Sequence, residues 1–246
     1  MCDIAEKMKP YQDKGYSKEQ LAEIRLGFLR GIDPELYSNP YYQWDQMREI
    51  RLGLEHGLFK GEVEQYADLF YSADVMHECR LGMEVGINLT LYAERLYDGR
   101  QIHEIRLGIL GGMDYSVYAT KSYDCFQMRE IRLGMEQGIQ YKIYSGEIYS
   151  GIQMHQIRLG LAMGINILDY CNVHFDALQM REIRLGLEHG IDITKYAKRN
   201  IGCVTMRRIR LQLEKKANYV EAPMNINGAE YLPSERFEHY RKLQIA

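Results

Sequence analysis

The sequence predicts an all-α fold, an α-solenoid of about eight 26-residue repeats, each a long helix plus a short helix. Three observations predict it. The segment Glu182-Ile183-Arg184-Leu185-Gly186-Leu187-Glu188 recurs with small edits, placing an arginine at Arg25, Arg51, Arg80, Arg106, Arg132, Arg158, Arg184 and Arg210. The steps are 26 residues apart from one of 29. A fixed period of this size marks a solenoid, whose units bury their apolar faces on their neighbours. A helix-start signal and a helix-stop signal recur at fixed distances from each arginine, and they fix the elements within a repeat.

Asp176 followed by Gln179 is a capping box, in which each side chain satisfies a free N–H at the helix start. It recurs as Ser17/Gln20, Asp98/Gln101, Asp124/Gln127 and Ser150/Gln153, while Gln43 and Gly202 are weaker starts. An apolar residue precedes each start (Tyr16, Tyr42, Tyr71, Tyr97, Tyr123, Tyr149, Phe175, Ile201). A second follows five residues on (Leu21, Met47, Met76, Ile102, Met128, Met154, Met180, Met206). These are the two ends of a hydrophobic staple. Six residues after the arginine comes a glycine, from Gly31 to Gly190, the expected left-handed stop. The long helix therefore runs about 12 residues, or roughly 18 Å.

A second cap follows at Asp33, Asn88, Asp114, Asn166 or Asp192, and Pro34 sits at the position proline favours. The predicted short helix carries a tyrosine: Tyr37, Tyr66, Tyr92, Tyr118, Tyr144, Tyr170 or Tyr196. On the long helix Met180, Ile183 and Leu187 share one stripe, the core face. Gly186 borders it, and seven repeats hold such a glycine at a cost of about 1 kcal/mol against alanine. Close approach of a neighbouring helix is the expected reason.

The ends depart from the pattern. Residues 1–16 read as an N-terminal partial repeat, a cap, ahead of the eight repeats at 17–217. Gln212, Lys215 and Lys216 replace the pattern near its end, as a terminal unit requires. Residues 218–246 read as a linker and a C-terminal short helix opened by Pro233. Three extra residues fall between Gly57 and Tyr66, around Phe59 and Lys60. Insertions in repeats map to loops, often on the binding face.

Lys plus Arg is 31 and Asp plus Glu is 34, a net charge of −3. That lacks the basic excess of most nucleic-acid binders and the acidic excess of a DNA mimic. The cysteines are odd in number and form no Cys-x-x-Cys pair, which points to a reduced, cytoplasmic protein. No signal peptide or membrane span is expected. Phosphate-loop, zincin and nucleophile-elbow motifs do not occur. The expectation is no enzyme, no cofactor and no metal. His77 and Cys79 are close in sequence, but Cys79 stands at a core isoleucine position and reads as a packed thiol.

Candidate binding residues fall in two groups beside the repeated arginines. Those arginines are expected to form a structural ladder of charge-assisted bonds to Glu or to carbonyls of adjacent units. Glu55, Glu84, Glu136, Glu188 and Glu214 follow them by four residues. The first group stands three residues before each arginine: Arg48, His77, His103, Arg129, His155, Arg181 and Arg207. Helices stacked about 8–10 Å apart would make this a basic line roughly 70 Å long. It is either a solvated face or a docking surface for an acidic protein or nucleic acid. The second group is Tyr41, Trp44, Tyr115 and Tyr141, aromatics outside the structural tyrosine positions, joined by Phe59 and Lys60.

The unit Asp-x-x-Gln-Met-Arg-Glu-Ile-Arg-Leu-Gly-Leu-Glu-x-Gly-Ile-Asp, written at Asp176 to Asp192, resembles an uncharacterised helical repeat of gut Firmicutes and their mobile elements. The resemblance covers roughly residues 11–220. It implies a helical array in a phage or conjugative-element setting, and from there an inhibitor of a bacterial defence effector, similar in role to anti-CRISPR proteins. A non-enzymatic scaffold that binds a protein is thus the leading expectation. A nucleic-acid or nucleotide binder using the Arg/His line is the alternative.

Overall fold

The computed structural model describes residues 4–12 and 14–217, together with the backbone of two three-residue strands further on. The described residues up to 217 are all-helical. Eight long helices recur: α2 (Lys18–Arg30), α3 (Trp44–Glu55), α5 (Ala73–Met83), α7 (Gly99–Leu110), α8 (Cys125–Glu136), α9 (Gly151–Ala162), α10 (Ala177–Glu188) and α11 (Cys203–Lys216). A leading helix, α1 (Ile4–Gln12), packs on α2. No helix among the described residues is long and apolar enough to cross a membrane.

The chain forms two compact units, Met1–Arg158 and Leu159–Ala246, with the division inside α9. In the first unit α2 packs on α3, α3 on α5, α5 on α7 and α7 on α8. In the second, α10 packs on α11. Strands β1 (Met224–Ile226) and β2 (Ala229–Tyr231) pair antiparallel, Met224 opposite Tyr231. Both strands fall in the stretch expected to be a linker. The short helix expected from Pro233 lies outside the described residues.

Helix starts follow the capping signals. Asp124 accepts from the Gln127 N–H at 2.8 Å, and the Asp124 N–H donates back to Gln127 Oε1 at 2.8 Å. The Gln side chain also reaches the next repeat. Its Nε2 donates to the staple carbonyl there: Gln46 to Tyr71 at 2.6 Å, Gln101 to Tyr123 at 2.8 Å, Gln127 to Tyr149 at 2.7 Å and Gln179 to Ile201 at 2.8 Å. The staple tyrosines cross as well, Tyr42 Oη donating to the Ala67 carbonyl at 2.7 Å and Tyr97 Oη to Ala119 at 2.9 Å. Helix starts and inter-repeat contacts thus share the same side chains.

Helix stops close as expected. Gly138 takes φ +66°, and the next N–H, of Ile139, returns to the Gly134 carbonyl at 2.8 Å. This six-residue closure satisfies a free end carbonyl.

The expected short second helix is present, and one other expectation needs correction. The second element is a single 3₁₀ turn in five repeats, at Pro34–Leu36, Tyr115–Val117, Tyr141–Ile143, Ile167–Asp169 and Ile193–Lys195. It is α-helical only in α4 (Lys60–Val63), where three residues are inserted, and in α6 (Thr90–Glu94). The mid-helix glycine, moreover, makes room for its own repeat's tyrosine rather than for a neighbouring helix. A Cβ on Gly134 would lie 1.9 Å from Tyr144 Oη, and one on Gly186 would lie 1.8 Å from Tyr196 Oη. The hydroxyl sits there to donate to a helix carbonyl, Tyr144 to Glu130 at 3.0 Å and Tyr196 to Glu182 at 3.1 Å. The third repeat differs, because Leu89 fills the slot against Gly82. Tyr92 stands half-buried beside Tyr97 and Tyr115.

Candidate functional site

The repeated arginines lie between successive long helices. In the first unit Arg51 Nε donates to Glu23 at 2.8 Å, Arg80 to Glu49 at 2.8 Å, and Arg106 to Glu78 at 2.7 Å. Arg132 donates to Glu104 and Arg158 to Glu130, both at 2.7 Å. In the second unit Arg210 donates to Glu182 at 2.9 Å. Six interfaces follow one pattern: the upstream helix offers the carboxylate two residues before its own arginine, and the downstream helix brings the guanidinium; in α9 that position is Gln156. Same-helix glutamates hold the other side, as in Arg80–Glu84, Arg132–Glu136 and Arg184–Glu188, with Arg51–Glu55 and Arg210–Glu214 likewise paired. Arg25 differs. It is exposed and has no ion partner among the described residues.

Three histidines of the Arg/His line are tied to glutamates of the preceding repeat. His77 Nδ1 lies 3.1 Å from Glu49, His103 lies 3.1 Å from Glu78, and His155 lies 3.1 Å from Glu130. Each histidine shares the carboxylate that the neighbouring arginine uses. Arg181 sits 3.5 Å from Glu182, and Arg129 is half-buried. Arg48 and Arg207 are exposed.

Electrostatics agree with a structural ladder. Burial pushes Glu49 up, but hydrogen bonds from His77 and Arg80 outweigh it and hold the carboxyl below its usual range. Glu78 and Glu130 are lowered in the same way by their His–Arg pairs, against burial. His77 is raised, chiefly by its bond to Glu49. Burial pushes the Cys79 thiol up to about 12, so it remains a packed, protonated thiol. Among the described residues no group of three His, Cys, Asp or Glu is placed to hold a metal ion.

The aromatic candidates separate into two kinds. Tyr41 and Phe59 are 80% and 78% exposed, and Trp44 is exposed on the first turn of α3. Lys60 pairs with Glu35 at 3.2 Å on the surface. Tyr115 and Tyr141 are not free anchors. They open the 3₁₀ turn, with their Cβ atoms against the spaces over Gly108 and Gly134. Pro34, Ile167 and Ile193 occupy the same position in other repeats and are buried.

Comparison with family models, with curated proteins and with solved structures gives no match.

One row escaped the sequence reading. The residue just before the staple aromatic is Tyr41, Phe70, Leu96 and Ile148 in four repeats of the first unit, and Phe70 is 94% exposed. The staple residue that follows is buried in three of the four, at Tyr42, Tyr97 and Tyr149, and half-buried at Tyr71. The available signal was two consecutive apolar residues where only one is needed for the staple. A second set lies on the first helical turn, at Phe126 and Ile152 in the first unit and at Leu178 and Val204 in the second. The equivalent residues in the early repeats are Glu19, Asp45 and Asp74.

Proposed function

We propose that the chain is an α-solenoid of 26-residue repeats acting as a non-enzymatic, cytoplasmic scaffold that binds a protein through the apolar row at the starts of its long helices. The observation that carries this reading is the exposure of Tyr41, Phe70, Leu96 and Ile148 at one repeat position. Each lies beside a staple residue, buried in three of the four and half-buried at Tyr71. Large apolar side chains repeated on a surface mark a partner site, and Tyr and Phe are typical anchors. The Arg/His line supports a nucleic-acid reading less well, because three of its members are tied to glutamates. Inhibition of a defence effector, the role the resemblance implies, is one form such stoichiometric binding takes.

The test is affinity capture from a Firmicutes lysate with and without nuclease, run beside a Tyr41→Ser/Phe70→Ser/Leu96→Ser/Ile148→Ser chain. The expected result is a stoichiometric protein that survives nuclease and is lost with the variant, whose melting temperature stays unchanged. Capture of nucleic acid that vanishes with nuclease would overturn the reading.

A further inference from the structure

The eighth repeat alone places a cation two residues before its arginine, where six repeats place Glu and one places Gln156. At six interfaces the upstream helix presents a carboxylate two residues before its arginine, as Glu104 does to Arg132 and Glu182 to Arg210. Two residues before Arg210 stands Arg208, which is exposed. The face around it is open. Val204 is exposed, and Leu211 is 47% exposed where its counterpart Leu185 is 7% exposed. With Arg207, Gln212 and Lys215 these residues line a groove of about 400 Å³ along α11. Val204, Arg208, Leu211 and Lys215 are spaced four, three and four residues apart, so they form one stripe on the helix. Gln212 also replaces the mid-helix glycine, so no tyrosine hydroxyl is accommodated there.

The charge pattern states what this face accepts. A further repeat of the same kind would bring its arginine onto Arg208 and be repelled. A second copy of the same face would oppose Arg207, Arg208 and Lys215 to themselves. A helix with carboxylates beside an apolar stripe satisfies both the cations and the exposed Val204 and Leu211. We propose that the α11 face docks an acidic amphipathic helix of a partner protein, which continues the stack with the ion-pair polarity inverted. The proposal rests on the repeat register and is independent of the apolar row.

The probe is a synthetic amphipathic peptide with leucines along one face and glutamates elsewhere, titrated into the full chain by calorimetry. A lysine-for-glutamate peptide and a single-stranded oligonucleotide serve as controls. The expected result is one-to-one binding of the acidic peptide, weakened about tenfold or more by Arg208→Glu, the loss of one charge-assisted contact. Arg95→Glu, on an exposed site elsewhere, leaves it unchanged. The four-residue serine variant of the apolar row also leaves it unchanged, so the two proposals fail separately. Absence of saturable binding overturns the proposal, as does indifference to Arg208→Glu. It is also overturned by an oligonucleotide that binds more tightly with the same Arg208 dependence. A concentration-dependent dimer abolished by Arg208→Glu would make the occupant a second copy. Tighter peptide binding in a Glu235→Lys/Glu238→Lys chain would make it the chain's own C-terminal segment. Either outcome overturns a partner helix.

Discussion

Replacing Gly134 by alanine sets helix propensity against packing, and the structure decides the sign. In an exposed helix interior the change stabilises by about 1 kcal/mol. Here the new Cβ would stand 1.9 Å from Tyr144 Oη and 3.2 Å from its Cζ. The ring must withdraw from a buried slot, and overpacking of this kind costs about 1–3 kcal/mol. Its hydrogen bond to the Glu130 carbonyl at 3.0 Å is lost as well, at about 1 kcal/mol. The propensity gain and the hydrogen-bond loss cancel, leaving a net destabilisation of about 1–3 kcal/mol. Tyr144→Phe alone should cost about 1 kcal/mol for that bond. In the double variant the hydroxyl is gone and the nearest ring atom is only slightly tight. The double variant should therefore be more stable than the sum of the singles by about 2–3 kcal/mol, the coupling expected of residues in contact. Urea unfolding followed by circular dichroism measures all four corners of the cycle. Stabilisation by Gly134→Ala, or additive singles, would refute the account of the glycine.

Three further outcomes follow from the same contacts. Arg132→Ala leaves the Glu104 carboxylate buried without its guanidinium and should cost about 3–5 kcal/mol. Glu136→Ala, on the exposed partner of the same arginine, should cost about 0.3–0.5 kcal/mol; equal losses in urea melts would contradict the ladder. Gln127→Ala removes a helix cap and the donor to the Tyr149 carbonyl together. It should cost about 1–3 kcal/mol, more than the roughly 1 kcal/mol of Asp124→Ala, which removes the cap alone. Stability should also fall at both pH extremes. Glu49, Glu78 and Glu130 have lowered values, so their contribution is complete above the unfolded carboxylate value of about 4.3 and is lost as pH falls through the folded ones. His77 is raised, so its contribution is complete below about 6.5 and is lost as pH rises through the folded value. Thermal melts across pH should show the decline that sets in above about 6.5 reduced by His77→Asn and the acid decline retained.

The helix limits were legible because each start and stop is written locally. Ser17 with Gln20, Asp124 with Gln127, and the glycines from Gly31 to Gly190 need no distant partner to be recognised. What crosses between repeats was harder to read. His103 lies 25 residues from Glu78, and Arg106 lies 28 residues from it. Those separations gain meaning only once the stacking register is known. Without it His77, His103 and His155 look like a free basic line. The glycine slot was misread for a related reason. A tyrosine twelve residues after the arginine folds back under its own helix, and the 3₁₀ turn is as short as that return allows. The eighth repeat gave a clue: Gln212 appears where no such tyrosine follows. The apolar row was missed because Tyr41 and Phe70 sit next to staple residues of the same chemistry. Only exposure separates them.

The capping glutamines carry a consequence for how order spreads along the chain. Gln46 and Gln127 each serve the first turn of their own helix and a carbonyl of the next repeat. Forming a first turn is the costly step of making a helix. Here the side chain that caps the first turn through Oε1 is also held by the neighbour through Nε2, so each repeat steadies the start of the one before it. Structure in the Met1–Arg158 unit should then propagate rather than arise independently in each helix. Amide exchange should be slowest in α5 and α7 and should quicken toward α1 and α2, which have fewer repeats to hold them.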